Sequence, residues 1–197
     1  MKPHHVALPA FLVAAAISGC AQPEPSASAP ASAPVIASSL APLVAASGVV
    51  LHQPRAGLYS AGQPASGDWA GIAKLGVGTV INLRPEGEMA GRDEAAEVQA
   101  AGLRYIEIPV ADADAITPGN ARKLHEAIGS AKGAPVLVHC ASANRAGGLL
   151  ALAMVTEHGM DHKAALAFGR KAGMKSTEAR VREVLEAQPA NTKPGDR

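Results

Sequence analysis

A cysteine, a short run of small residues and an arginine form the part of this sequence best suited to chemistry. The stretch reads Val136-Leu137-Val138-His139-Cys140-Ala141-Ser142-Ala143-Asn144-Arg145-Ala146-Gly147. An apolar strand ends at the cysteine, the chain turns through four residues, and a helix begins at the arginine. In such a turn the amides of Ala141, Ser142, Ala143 and Asn144 converge with the first amides of the helix, whose dipole adds partial positive charge. The loop is therefore an oxyanion cradle. The same field favours the thiolate of Cys140, which is the nucleophilic form. Arg145 completes the cradle with a planar fork that matches two oxygens of phosphate or sulfate. His139 stands where it can brace the loop from behind.

The flanking sequence supplies the elements that must position this loop. Leu58-Tyr59-Ser60-Ala61 is a short extended segment ended by Gly62 and Pro64, and Ser66 is a candidate cap for a helix carrying Trp69, Ile72 and Leu75 before Gly76 stops it. Thr79 to Leu83 is β-branched and apolar, and a helix-forming run from Asp93 to Ala101 ends at Gly102. Arg104 to Val110 places Ile106, Ile108 and Val110 on one strand face. Thr117-Pro118 then gives an N-cap and a first-turn proline for a helix reaching Ile128. The uninterrupted apolar run of Val136 to His139 suits the centre of a sheet. Ala146 to Thr156 is apolar nearly all round and should be buried, and helices near Asp161 to Ala172 and Ser176 to Ala187 follow. This succession predicts a three-layer α/β domain over 48–188, with a largely parallel central sheet flanked by helices.

Composition narrows the function classes. In 197 residues, 18 Lys and Arg face 17 Asp and Glu, and aromatic residues make up 3%. Basic residues are scattered rather than striped and aromatics are too few to build a stacking platform, which argues against a nucleic-acid partner. Gly71, Gly76 and Gly78 are mis-spaced for nucleotide-binding loops, so no nucleotide cofactor is expected. His52, His125, His139, His158 and His162 have no zinc-type spacing with cysteines or carboxylates, so no metal is expected. Gly-x-Ser-x-Gly is absent, leaving no serine nucleophile elbow.

The N-terminal residues 1–19 read as an export signal whose apolar run, Val6 to Ile17, is too short to span a bilayer. Ile17-Ser18-Gly19-Cys20 resembles the lipobox of bacterial lipoproteins, which implies a lipid on Cys20 and attachment of the exported domain to a membrane at its periplasmic face. Ala21 in place of an aspartate points to the outer rather than the inner membrane. Residues 20–47 are rich in Ala, Pro and Ser and read as a tether, and 189–197 as a disordered tail. With Cys20 acylated, Cys140 has no partner for an internal disulfide.

Taken together, Gly62-Gln63-Pro64, Val80-Ile81-Asn82-Leu83-Arg84-Pro85, Ile106-Glu107-Ile108-Pro109-Val110 and Val136 to Arg145 resemble the Cys-dependent protein tyrosine and dual-specificity phosphatase superfamily. Within it they are most similar to the small bacterial phosphatase-like domain found fused to beta-lactamase-like hydrolases. The resemblance implies a hydrolase with Cys140 as nucleophile, a phosphocysteine intermediate, and Arg145 with the loop amides on the phosphoryl oxygens. It implies a general acid in the loop after Val110, either Asp112 or Asp114 with Asp112 ranked first, and a substrate contact from Arg84. The substrate would be a phosphorylated small molecule or phosphoprotein. Two alternatives follow from the same stretch. Four residues between Cys140 and Arg145, where the phosphatase signature has five, resemble rhodanese sulfurtransferases, which would make Cys140 a persulfide carrier serving a sulfur acceptor. Ala143 and Ala146, where these phosphatases place a glycine and a hydroxyl residue, suit a module that binds an oxyanion or phosphoprotein without turnover.

Overall fold

The computed structural model describes residues 43–187, so the export signal, Cys20, most of the tether and the tail 189–197 lie outside the described residues. In chain order the strands are β1 (Leu43–Val44), β2 (Val50–Arg55), β3 (Leu58–Ala61), β4 (Thr79–Asn82), β5 (Arg104–Glu107) and β6 (Val136–His139). The helices are α1 (Trp69–Lys74), α2 (Glu94–Ala100), α3 (Pro118–Gly129), α4 (Asn144–Thr156), α5 (His162–Lys171) and α6 (Glu178–Ala187). One six-stranded sheet runs in the order β1-β2-β3-β6-β4-β5. β3, β6, β4 and β5 are mutually parallel, and β2 and β1 add an antiparallel edge. The expected α/β layering with a largely parallel sheet is what the chain adopts.

The sheet is covered on both faces. Val136 and Val138 of β6 enter a core with Ile81, Leu83 and the apolar faces of α3 to α6. Leu137, one residue out of phase, enters the second core with Tyr59, Trp69, Ile72 and Val98 from β3, α1 and α2. Burial on both faces is why β6 reads as an unbroken apolar run instead of alternating. Its neighbours fix its height: Ala61 and Asn82 both pair with His139. The C-terminal ends of β3, β4 and β6 thus lie level, and Gly62-Gln63, Leu83-Arg84 and Cys140 leave the sheet side by side.

α4 is buried from Ala146 to Met154, which accounts for its lack of a polar face. A β-carbon on Gly147 would meet the Met174 nitrogen at 2.3 Å, and one on Gly148 the Thr177 hydroxyl at 2.7 Å. The glycine pair lets the segment after α5 lie directly on the first turn of α4.

Some local expectations shift. Ser66 does not cap α1: its hydroxyl donates to Glu97 at 2.9 Å, and the chain enters α1 through a short 3-10 turn, Ser66–Asp68. The strand expected to reach Val110 ends as β5 at Glu107, where the Arg84 amide leaves the ladder and donates to the Asn82 side-chain oxygen at 2.8 Å. Ile108 and Val110 still hydrogen-bond to Asn82 and Leu83, so the extended path continues. Folded structure also reaches back past Gly48. β1 pairs with β2, and the Ser47 hydroxyl donates to Asp68 at 2.5 Å.

Candidate active site

The cysteine loop is built by three local constraints. Cys140 is fully buried at the end of β6, with its amide donating to the Ala61 carbonyl at 3.3 Å. The Ala141 carbonyl is held by the Gln63 amide, also at 3.3 Å, and Ser142 forms an isolated bridge with Gly62. Ala143 then takes φ +66, which turns the chain into α4, whose first bond runs from the Gly147 amide to the Ala143 carbonyl. The left-handed conformation there is the one that ordinarily favours glycine. The amides of Ala141, Ser142, Asn144, Arg145 and Ala146 donate to no acceptor among the described residues. With the dipole of a thirteen-residue helix behind them, these groups form an electropositive rim beside Cys140.

Arg145 is oriented from two directions. Its Nη1 and Nη2 donate to the two carboxylate oxygens of Glu88 at 2.7 and 2.6 Å, a bidentate pair. Nη1 also donates to the carbonyls of Val110 and Ala111 at 2.6 and 3.0 Å. Hydrogen bonding to Glu88 raises the Arg145 pKa against the opposing effect of burial, and the Cys140 sulfur adds to the rise. The same pair, helped by Arg84, holds the Glu88 carboxyl below its ordinary range.

Arg84, expected as a substrate contact, is committed to the protein. Its Nη1 donates to Gln63 Oε1, Nη2 to the Glu88 carbonyl, and Nε to the Glu88 carboxylate at 3.4 Å. Its position is that of a support for the Glu88–Arg145 pair. Asp112 and Asp114 are exposed on the segment whose carbonyls Arg145 holds. Asp112 Oδ1 accepts from the Ala115 amide at 3.1 Å, a turn-forming bond. Neither aspartate has a hydrogen bond to the cysteine loop. The Ser142 hydroxyl is exposed and has no partner among the described residues.

Asn144 contributes to the cradle through its backbone alone. Its side-chain oxygen accepts from the Lys175 amide at 2.7 Å, the Thr177 amide at 3.2 Å and the Thr177 hydroxyl at 3.0 Å, while Nδ2 donates to Ser176 at 2.8 Å. The first turn of α4 is thereby bolted to the α5–α6 connection.

Beneath the loop, His139 Nε2 lies 2.7 Å from Glu94 Oε1, both side chains being buried. Burial pushes the Glu94 carboxyl up, but His139, Gln63 and Arg92 together outweigh it and leave the group below its ordinary value. The bracing role expected of His139 thus has a partner that the sequence did not disclose. Glu88, Glu94 and the Gln63 side chain are the residues sequence reasoning missed. Only the four-residue spacing of Arg84 and Glu88 hinted at one of them.

Residues 55–156 match the family described as the phosphatase-like domain of beta-lactamase hydrolase-like proteins, and the chain belongs to that family. A beta-lactamase hydrolase-like protein of Xylella fastidiosa is 37% identical over 120 residues, 59% of this chain and 27% of that protein. The chain therefore spans about a quarter of the length of that curated relative. Among solved structures, a phosphatase-like protein of Shewanella putrefaciens is similar at 27% identity with a TM-score of 0.55, covering 71% of this chain and 90% of that one. P. aeruginosa TpbA, solved in complex with pTyr, shares the fold at 22% identity and a TM-score of 0.50, over 71% of this chain and 83% of that one. The fold is that of the Cys-dependent protein tyrosine phosphatase-like proteins.

Proposed function

We propose that this domain hydrolyses a phosphoester through the Cys140 thiolate. The observation that carries the reading is the turn itself: Cys140, loop amides without an acceptor among the described residues and the Arg145 guanidinium are held on one strand–loop–helix junction. In this reaction the sulfur attacks phosphorus, the P–S bond forms as the P–O bond to the leaving group breaks, and Asp112 gives its proton to the departing oxygen. Water then attacks the phosphocysteine, returns a proton to Asp112 and releases phosphate and thiolate. The loop amides and Arg145 neutralise charge on the equatorial oxygens in both steps. The phosphoryl group competes with Glu88 for the arginine fork, so binding shifts Arg145 from one oxyanion to another. A phosphorylated small molecule or phosphoprotein is the substrate class, in keeping with the fold neighbour solved with pTyr.

Hydrolysis of a chromogenic aryl phosphate, with the Cys140→Ser variant alongside across pH 5 to 8, tests the reading. Turnover lost with the sulfur supports it, and equal turnover in both proteins sinks it. The four-residue span between Cys140 and Arg145 favours one second reading, sulfur transfer through a Cys140 persulfide. Its mark is a mass gain of one sulfur on Cys140 after exposure to thiosulfate, without aryl phosphate turnover. The export signal and Cys20 support a lipid-anchored domain on the periplasmic side of the membrane. A change in gel mobility on Cys20→Ala is the expected sign of that lipid.

A further inference from the structure

Gln63 stands at the junction of two charged groups that reach the reactive turn from opposite sides. It follows Gly62 at the end of β3, and the close fit there is visible in the geometry: a β-carbon on Gly62 would lie 3.2 Å from the Ala141 carbonyl oxygen. The Gln63 backbone amide holds that same carbonyl. Its side-chain oxygen accepts from Arg84 Nη1, and its side-chain nitrogen donates to Glu94 Oε2 and to the Pro64 carbonyl. Beyond Arg84 lie Glu88 and then Arg145. Beyond Glu94 lies His139, the residue before Cys140.

The chemistry of the position is selective. A guanidinium on one side demands an acceptor, and a carboxylate on the other demands a donor. A primary amide supplies both without a charge of its own, and the two neighbours fix which end is oxygen. A carboxylate here would face Glu94, and an ammonium would face Arg84. The motif Gly62-Gln63-Pro64 matched the phosphatase superfamily in sequence but is given no part in bond making or breaking. Its place in the structure supplies a different part.

We propose that Gln63 is a positioning residue for the Cys140 nucleophile, joining the arginine that supports the Glu88–Arg145 pair to the carboxylate beneath His139. This inference rests on Cys140 being the reactive group of the domain. Strand ends β3, β4 and β6 are level in the sheet, and past them single backbone bonds continue, from the Gln63 amide to the Ala141 carbonyl and from the Leu83 amide to the His139 carbonyl. The Gln63 side chain adds to these bonds a tie between Arg84 and Glu94. Loss of the tie displaces groups by fractions of an ångström, a scale on which rates fall by roughly ten- to a hundredfold.

The test is the pH profile of Gln63→Glu in the full chain. The substitution preserves shape, and when protonated the new carboxyl can again accept from Arg84 and donate to Glu94. The charged groups on it are Arg84 and Glu94 directly, with Glu88 and Arg92 next to those, and the titratable His139 and Tyr105 also stand beside Glu94. The expected result with aryl phosphate is a kcat lowered roughly tenfold or more near neutral pH, KM within about threefold, and a deficit that narrows as pH falls. Gln63→Met, of similar size and without polar atoms, should show a deficit that does not depend on pH. A Gln63→Glu profile parallel to wild type, whether at full rate or at a uniformly reduced one, overturns the proposal. If the wild-type chain shows no Cys140-dependent turnover, the phosphatase reading has failed separately. The pH dependence of Cys140 alkylation by iodoacetamide, followed by peptide mass, then decides. A changed profile in Gln63→Glu supports positioning, and an unchanged one overturns it.

Discussion

The methyl group of Ala143 occupies the space that Gly173 leaves open: a β-carbon on Gly173 would sit 2.6 Å from the β-carbon of Ala143 and 3.0 Å from the His52 ring. Ala143 holds φ +66 at the turn of the cysteine loop, and Gly173 holds φ +90 in the segment that covers it. A left-handed alanine costs about 1 kcal/mol relative to glycine, and burial of its methyl against Gly173 offsets part of that. Gly173→Ala is therefore expected to destabilise the domain by about 2–3 kcal/mol through overpacking and backbone strain. Adding Ala143→Gly should recover about 1 kcal/mol or more of that loss, read as non-additive melting temperatures in a double-mutant cycle. Additive effects would show that the two residues do not share this space.

The reactive turn and its scaffold were readable because each part has a local signature. The run Val136 to His139 marks a strand buried on both faces, the small residues mark a turn, and Thr117-Pro118 and Asp161 each cap the helix that follows. The supports of the site have none. Glu88 is 57 positions from Arg145, and Glu94 is 31 from Gln63, so their pairing depends on sheet order and not on spacing. Arg84 was expected only as a substrate contact, and the direction of its guanidinium is decided by Glu88 and Gln63. β2 escaped notice because His52, Gln53 and Pro54 interrupt its apolar pattern. Its antiparallel partners hold it in the sheet.

Asn144 offers a way to separate the stability of the cradle from its charge. Its side-chain oxygen satisfies donors of both Lys175 and Thr177, so Asn144→Ala leaves these groups unpaired and should cost about 2 kcal/mol. Asn144→Asp keeps the acceptor oxygen at a helix N-terminus, where negative charge is favourable, and should melt near wild type. That same charge lies among the amides proposed to bind the phosphoryl group, so KM for aryl phosphate should rise while the fold is kept. A normal KM in a well-folded Asn144→Asp protein would remove Asn144 from the anion site.

The two aspartates after Val110 are distinguished by their bonds. Asp112 shapes its own turn through Ala115, two residues from the Val110 carbonyl that Arg145 holds. Asn at this position can still accept that bond but has no proton to transfer. Asp112→Asn should therefore leave melting temperature nearly unchanged. It should slow hydrolysis of an alkyl phosphate by roughly 10²–10⁴-fold, and affect an aryl phosphate with a good leaving group far less. Asp114→Asn should do neither. A leaving-group-dependent loss in Asp114→Asn, with Asp112→Asn unaffected, would move the general acid to Asp114.

Behind the site, Glu97 gathers three donors: Arg92 at 3.0 and 2.5 Å, the Trp69 indole at 3.0 Å and the Ser66 hydroxyl at 2.9 Å. Hydrogen bonding to Arg92 is the main reason its carboxyl is lowered to about 2. A carboxyl whose folded pKa lies below its unfolded value stabilises the fold above the unfolded value, near 4.5, and loses that contribution as pH falls toward 2. Glu97→Gln should thus cost about 1 kcal/mol at neutral pH, a figure discounted for the partial exposure of the pair. The melting-temperature gap between wild type and variant should be constant from pH 7 to 5, shrink below about 4.5 and close near 2. Because Arg92 also donates to the Pro64 carbonyl beside Gln63, the loosening at low pH should reach the site. A gap that persists unchanged at the acid end would show that Glu97 acts through shape and not through its charge.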